Sequence, residues 1–580
     1  MSLLVLLLFV AACASPPPPP PPPLIAIGTT PERLGAFADG RQQLSVALGI
    51  ETRPVLDPAV ATQSFRFAAV PHASVLALGL GVEPTGAPAA WRAEVVLTRA
   101  DDTSTTLLDE TLEATPQRWN DRRLELAAGE LSDATITLRA TPQGEPVPDG
   151  RRLVWAEPLL LPRVPAARPS VILVSLDTLR TDHVGPRPDG RPSLTPQLDA
   201  LGAASTVFAH AYAPSTWTLP SHTALLWGRH ATILDRARAD LKRPLTEAVG
   251  PVASLAESFR DAGFVTAAFT GGGWMSPKMG LRPGVGFASG FDRFVAYPVP
   301  TAHPGQCVPA RFDGDAVFHW ATAWIREYAA DPFFLFIHTY EPHDRCPFVA
   351  PGRLDFDDIA TQPERVRALR TYYDTLVGRT DALVGRLRET LAASGLDDRT
   401  VLAITSDHGE AFFEHGVGGH GCTVAPWDEL ARVPLLVHRP GGAPARVDAP
   451  VALVQVAPTL RALAGVDGPP ADGPPLPGLD IPGGTAPALV HTGCGEHLAV
   501  RAGPHKLMTT RSNTEPDRLY DLVADPGERD DLAPSRPDTA RALRAAADAY
   551  WESGGPPADD EVPDVDPTLR EQLRALGYAS

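Results

Sequence analysis

The rhythm of the chain changes at Ser170, and that change constrains the fold more than any other feature. Residues 171–176 (VILVSL) form one continuous apolar run. A strand that is apolar on both faces belongs in the middle of a covered, parallel sheet. Four more such runs follow, at 264–270 (FVTAAFT), 333–339 (FFLFIHT), 400–406 (TVLAITS) and 433–439 (VPLLVHR). Helical patterns lie between them, at 196–204 after a turn and at 364–391, where Tyr373 and Leu376 share a face. Strands alternating with helices define an α/β fold with a mostly parallel central sheet. Ligands of such folds sit at the carboxyl ends of the strands.

The 580 residues exceed what a single core supports, so more than one domain is expected. Upstream, from about Ser45 to Arg163, SFRFAAV, ASVLALGLGV, WRAEVVLTRA, RRLELAAG, ATITLRAT and RLVWAEPLLL alternate or run apolar at strand length. Turn-rich PTGAP, DDTST and PQGEPVPDG separate them. This reads as an all-β antiparallel sandwich, structural or docking in role rather than carbohydrate-binding. Pro162, Pro165 and Pro169 mark a linker. A proline-rich stretch at 466–487 precedes a small α+β subdomain in which HKLMTTRS and RLYDLVADP read as strand and turn. The expected division is a leader and spacer at 1–23, the β-sandwich at 24–166, the catalytic core at 167–484, the subdomain at 485–553, and an acidic tail with a short helix at 554–580.

At the amino end, residues 3–12 (LLVLLLFVAA) are too few to span a bilayer but suit a signal-peptide core. They end in Val10-Ala11-Ala12-Cys13, which resembles a bacterial lipobox. That resemblance implies acylation of Cys13 and a lipid-anchored, extracytoplasmic place in the cell envelope. Pro16 to Pro23 follow as a stiff spacer of roughly 25 Å. The remaining cysteines, Cys307, Cys346, Cys422 and Cys494, suit an oxidising compartment. Three pairings are open, of which Cys307–Cys346 is preferred. No CxxC motif occurs, which argues against a structural zinc cluster. With 51 Lys and Arg against 69 Asp and Glu the net charge is −18, so no nucleic-acid partner is expected.

Three motifs fall where strands end or helices begin. They are 175–183 (SLDTLRTDH), 215–225 (STWTLPSHTAL) and 405–410 (TSDHGE). Asp177, Asp407 and His408 supply two carboxylates and an imidazole. That set suits one divalent cation, Ca²⁺, Mg²⁺, Mn²⁺ or Zn²⁺. An Asp at a strand end is otherwise a helix cap. Thr218 stands just before Pro220, a residue favoured in the first turn of a helix. Its hydroxyl is either an N-cap or a nucleophile. An unaided threonine is too weak for the second role and needs a cation to lower its pKa.

Taken together, the segments from Ser170 to about Ala533 resemble the sulfatase family of the alkaline phosphatase superfamily. The resemblance rests on LDTLRTDH after the first strand, TLPSH, FFLFIHTYEPH, SDHGE, RVPLLVHRPG and LYDLVADPGERDDLA, in that order. It implies metal ligation by Asp177, Asp407 and His408, with Thr218 as both ligand and nucleophile. It implies a general acid or leaving-group contact at His343, and a catalytic, anion-binding position at His420. His338 reads as structural, and Lys506 as structural or at the pocket rim. His415 and His420 follow the metal motif closely, and a second metal site built from them is the disfavoured reading beside a single cation.

The chain departs from the family pattern at several points. Family members carry Cys or Ser, any residue, Pro, Ser, Arg, and convert the Cys or Ser to formylglycine. Here Thr218 takes the first place and His222 replaces the arginine, as a substrate-binding candidate. Thr178 stands where many members have a second aspartate. Residues 271–274 (GGGW) stand where many have a lysine-bearing run. The resemblance implies a metal-dependent hydrolase of small sulfated or phosphorylated esters or glycans. The alternatives are a phosphodiesterase, a phosphonate hydrolase or a phospho-group transferase acting on envelope glycans or lipids through Thr218. A third reading is an inactive, glycan-binding pseudo-enzyme.

Overall fold

The computed structural model describes residues 24–25, 32–34, 45–48, 51–56, 61–68, 70, 72–82, 90–113, 118–143, 153–163, 168–187, 190–230, 252–271, 281, 286–297, 313–343, 359–422 and 424–552. Cys13, the proline spacer, Cys307, Cys346, residues 272–274 and the expected tail helix lie outside them.

Four of the five apolar runs form the centre of one sheet. These strands are β1 (Ser170–Leu176), β2 (Val265–Gly271), β3 (Phe333–Thr339) and β4 (Thr400–Thr405), and every residue in them is buried. β1 pairs in parallel with β3 on one side and β4 on the other, and β2 extends β3 in parallel. The fifth run, β5 (Leu435–His438), lies antiparallel to β4. Alternation sends Val171 and Leu173 into one core and Ile172, Val174 and Leu176 into the other. Both faces are therefore covered, which is why the runs show no polar alternation. Phe334 of β3 stacks on Phe259 at 4.7 Å between ring centres. Truncating such a ring to alanine typically costs about 3–5 kcal/mol.

Two helices matter for the site. Helix α1 (Thr218–Trp227) is buried along its whole length. Helix α2 (Pro363–Ala393) turns Leu369, Tyr373 and Val377 onto the second core, at helical spacing.

The N-terminal strands form two sheets. One runs Leu24–Ile25, Thr62–Phe67, Thr135–Gln143, Ala90–Thr98 and Ser104–Glu113; the other is built around Ser74–Val82. Ser74–Val82 is buried on both faces because Leu76, Leu78 and Leu80 fill the sandwich core while Val75 and Ala77 join the core beside Ile172. The sandwich thus docks on the catalytic sheet rather than hanging from a linker.

Three local features differ from the sequence reading. Ser104–Glu113, which starts inside the turn-rich DDTST and carries no assignment from the sequence beyond it, is a strand, and its mostly exposed face hid it. Its Asp109 pairs with Arg92 across the ladder at 2.7 Å. The run 152–161 (RLVWAEPLLL) breaks into Leu153–Trp155 and Leu159–Pro162, with Pro158 unable to donate to a ladder. Finally, the hairpin Ser45–Leu48/Glu51–Pro54 pairs with Arg293–Tyr297 and extends the catalytic sheet itself.

The C-terminal subdomain is a four-stranded antiparallel sheet, Val490–Cys494 to Arg518–Asp521, covered by helix Pro537–Glu552. A disulfide joins Cys422 to Cys494.

Candidate active site

The parallel pairing of β1 and β4 sets Ser175 opposite Thr405. Asp177 and Asp407, each two residues further on, therefore emerge side by side at the carboxyl end of the sheet. Both are fully buried. Thr178 adopts a left-handed backbone with φ +57°. That strained turn aims its N–H at Asp407 Oδ1, 3.2 Å away. It is held by α2, since the Tyr373 hydroxyl donates to the Thr178 carbonyl at 2.7 Å and accepts from the Arg180 N–H at 2.9 Å. Strain of this kind costs of order 1 kcal/mol and persists only when neighbours over-determine it.

After β4, the His408 N–H donates to Asp407 Oδ1 at 2.9 Å. His408 Nδ1 donates to the Gly409 carbonyl at 2.9 Å, which leaves Nε2 as the free lone pair. Gly409 has to be glycine, because a Cβ there would meet the Glu429 carbonyl oxygen at 2.0 Å.

Thr218 is the first residue of α1, and Trp217 holds the cap position without a side-chain bond. The Thr218 hydroxyl is thus not a helix cap. Its Oγ1 lies 3.4 Å from Asp177 Oδ2 and 3.4 Å from His408 Nε2. The four groups expected to share a cation are together.

The donor set fits a divalent cation on this geometry. Asp177, Asp407 and His408 offer ligand atoms within 4.8 Å of one another. Asp177 Oδ1 and Asp407 Oδ2 are buried with no hydrogen-bond partner. Burial, followed by the neighbouring Asp407 charge, pushes Asp177 well above the carboxylate range. For Asp407 burial acts upward too, but His408 beside it and the Thr178 N–H outweigh that and hold it low. Two buried carboxylates in contact need a proton or a cation between them.

The remaining histidines divide. His420 and His343 come to the site: the His420 ring lies 4.4 Å from that of His408 and 5.0 Å from that of His343. His420 Nδ1 donates to the Glu410 carboxylate at 3.2 Å. His415 does not join them. It stacks on Trp427 at 3.7 Å and bonds Glu429 and the Gly527 carbonyl, so the paired-histidine metal site is not assembled. Lys506 is buried in an ion-pair cluster with Asp428 and Glu528, a structural place away from any rim. His222 turns inward, fully buried, with Nδ1 at 2.8 Å from the Thr218 carbonyl and Nε2 at 2.8 Å from Ser175 Oγ. It stands behind the Thr218 turn rather than in a substrate's path.

His338, read from sequence as structural, reaches the site: its Nε2 is 3.3 Å from Asp177 Oδ2. The available signal was its place near the end of β3, opposite Ser175. Glu410 and Ser406, whose Oγ accepts from Leu179 N–H at 2.9 Å and donates to the His408 carbonyl at 2.7 Å, were likewise missed.

The fold is that of the alkaline phosphatase type, and its site carries a buried cluster that could hold a metal ion. The family model described as Sulfatase matches residues 169–466, and the chain belongs to the sulfatase family, whose members are sulfuric ester hydrolases. The chain is 26% identical over 356 residues to an uncharacterized sulfatase of Escherichia coli K12, covering 52% of this chain and 69% of that protein. It is 26% identical over 414 residues to an ulvan-active sulfatase of Formosa agariphila, covering 63% and 77%. A choline-sulfatase of Rhizobium meliloti is 31% identical over 216 residues, covering 34% and 40%. Among solved structures, a 2-O GAG sulfatase superposes with a TM-score of 0.53 at 20% identity, covering 69% of this chain and 97% of that one. The phosphonate monoester hydrolase of Agrobacterium radiobacter superposes at 0.51 and 20%, covering 66% and 95%. These two likenesses show the fold alone.

Proposed function

We propose that this sulfatase-family hydrolase cleaves a singly charged ester, a sulfate monoester or its phosphonate or phosphodiester counterpart, through a covalent Thr218 intermediate. The observation that carries this reading is the Thr218 hydroxyl set between Asp177 and His408. A divalent cation held by Asp177, Asp407, His408 and Thr218 would acidify the hydroxyl and polarise the ester oxygen. Asp177 Oδ2 is the nearest carboxylate acceptor for the hydroxyl proton. A bond then forms between Thr218 Oγ1 and sulfur or phosphorus as the bond to the leaving oxygen breaks. The leaving oxygen takes a proton from His420 in its imidazolium form, whose Nδ1–H is held by the Glu410 carboxylate, or from His343. Water hydrolyses the Thr218 ester in the second half, because threonine lacks the aldehyde-hydrate route that formylglycine offers.

The test is a panel of aryl sulfate, phosphate monoester, phosphodiester and phosphonate monoester substrates, run with each divalent metal. Turnover of aryl sulfate or of a monoanionic phosphorus ester is expected, with an acid-stable mass added at Thr218 after quenching. Turnover with no adduct at any residue of 215–221 would remove the covalent step. Two features of the relatives' names support a glycan substrate or a small sulfated one: ulvan and choline. An extracytoplasmic site of action, with Cys13 as a membrane anchor, is part of the same proposal. The Cys422–Cys494 disulfide supports it, since such bonds persist in oxidising compartments.

A further inference from the structure

His222 is a buried imidazole that the chemistry above does not use. It is fully buried and contacts three elements of the site, its Nδ1 lying 3.5 Å from Asp407 Oδ2 as well as against the Thr218 carbonyl. The Thr218 carbonyl, 2.8 Å from Nδ1, can only accept, so Nδ1 carries the proton. Nε2 is then an acceptor, and the Ser175 hydroxyl at 2.8 Å must donate to it. The result is one directed chain, from Ser175 O–H through the ring to the Thr218 carbonyl. Ser175 lies in β1, two residues before Asp177. Thr218 is the first residue of α1. The ring is wedged edge-on against His338 at 4.7 Å and Phe336 at 6.0 Å, so it has no room to swing.

We infer that His222 is a positioning residue, whose tautomer-fixed bridge between Ser175 and the Thr218 carbonyl sets the 3.4 Å separation of Thr218 Oγ1 from Asp177 Oδ2. The inference rests on the nucleophile reading of Thr218. It assigns the place of the family's arginine to a strut behind the nucleophile instead of a substrate-binding group. A misplacement of about 1 Å in a reacting group costs about 10²-fold in rate.

The bridge can be cut at either end. His222→Asn places an amide N–H near the position of Nδ1 and keeps the grip on the Thr218 carbonyl. His222→Gln places its amide near Nε2 and keeps only the Ser175 end. With the aryl sulfate or aryl phosphonate substrate that gives turnover, His222→Gln is expected to lose about 10²-fold in kcat with KM within about twofold. His222→Asn should keep kcat within about tenfold, and Ser175→Ala should fall between the two. Equal losses in the Asn and Gln variants would overturn the bridge and leave a packing role. Full kcat in His222→Gln beside an inactive Thr218→Ala would overturn the positioning role while leaving the nucleophile in place. Turnover by Thr218→Ala would overturn both. Independently of activity, ¹⁵N NMR of the His222 ring should show Nδ1 protonated, and a proton on Nε2 alone would overturn the inference.

Discussion

Thr218 Oγ1 sits 3.4 Å from Asp177 Oδ2, although 41 residues separate them in sequence. Neither group is reactive alone: the hydroxyl is a poor nucleophile and the carboxylate is ordinary. Held together under burial they form a unit that one substitution disables. Thr218→Ala should lower kcat by several powers of ten, the loss of a covalent nucleophile being about 10⁶ in a comparable enzyme. Thr218→Ser should stay within about tenfold. Single-turnover kinetics of the two variants checks this.

The carboxylate pair predicts an effect on stability as well as on activity. Asp177 is pushed up by burial and by Asp407. A folded-state pKa raised above the unfolded value of about 3.9 gives stability at low pH that is lost as pH rises through the folded value. Chelator-treated protein should therefore unfold at lower urea as pH climbs above about 4. Asp177→Asn should raise the urea midpoint of the metal-free protein near neutral pH, while abolishing bound metal by elemental analysis. A variant with full metal content would remove Asp177 from the ligand set.

Proton donation to the leaving group separates His420 and His343. Loss of a general acid costs about 10²–10⁴-fold and weighs most on poor leaving groups. His420→Ala should slow an alkyl ester far more than a nitrophenyl ester. Glu410→Gln should repeat the pattern weakly, because it loosens the His420 ring. If both esters slow equally, His420 binds the anion and His343 is left as the acid.

The Cys422–Cys494 disulfide closes a sequence separation of 72 residues. Chain-entropy reasoning gives about 4 kcal/mol for a loop of that size. It also secures the approach to the site: Gly421 N–H donates to the Thr216 carbonyl at 3.0 Å, and Gly493 N–H donates to that of Pro214 at 3.0 Å. The Cys422→Ser/Cys494→Ser double variant should unfold at lower urea and lose kcat through the His420 loop. Unchanged urea midpoints in reduced and oxidised protein would contradict this.

His415 offers a pH signature of the seam between the core and the C-terminal subdomain. Burial acts against its charge, but the bond to Glu429 outweighs that and raises its pKa. The stabilisation is then complete below about pH 6.5 and fades as pH rises through the raised folded value. The urea-midpoint difference between wild type and His415→Gln should be largest near pH 6 and shrink by pH 9. Its size should be about 1.5–3 kcal/mol, as for a single hydrogen bond to a charged group.

The sequence by itself determined the catalytic sheet and the identity of the reactive groups. Continuous apolar runs such as 171–176 leave a strand no solvent face, so they had to be central. Asp177, Thr218, Asp407 and His408 were legible because each stands at a strand end or helix start, where a parallel sheet collects its chemistry. Tertiary structure decided what depends on pairing across the chain. The register of β1 against β3 brought His338 to Asp177, a contact between residues 161 apart. Local pattern marks His338 only as a histidine inside an apolar strand. The strand Ser104–Glu113 was hidden because it is an edge strand whose first residues are exposed and polar, with only Leu107, Leu108 and Leu112 packed against the core. His222 and His415 look alike as isolated histidines; packing made one a strut behind the nucleophile and the other a clamp on the C-terminal subdomain. The hairpin Ser45–Leu48/Glu51–Pro54 joined the catalytic sheet, not the neighbouring sandwich, because the edge strand Arg293–Tyr297 offered an unfilled ladder. Open backbone donors at a sheet edge recruit whichever strand the chain can deliver, and composition alone does not say which.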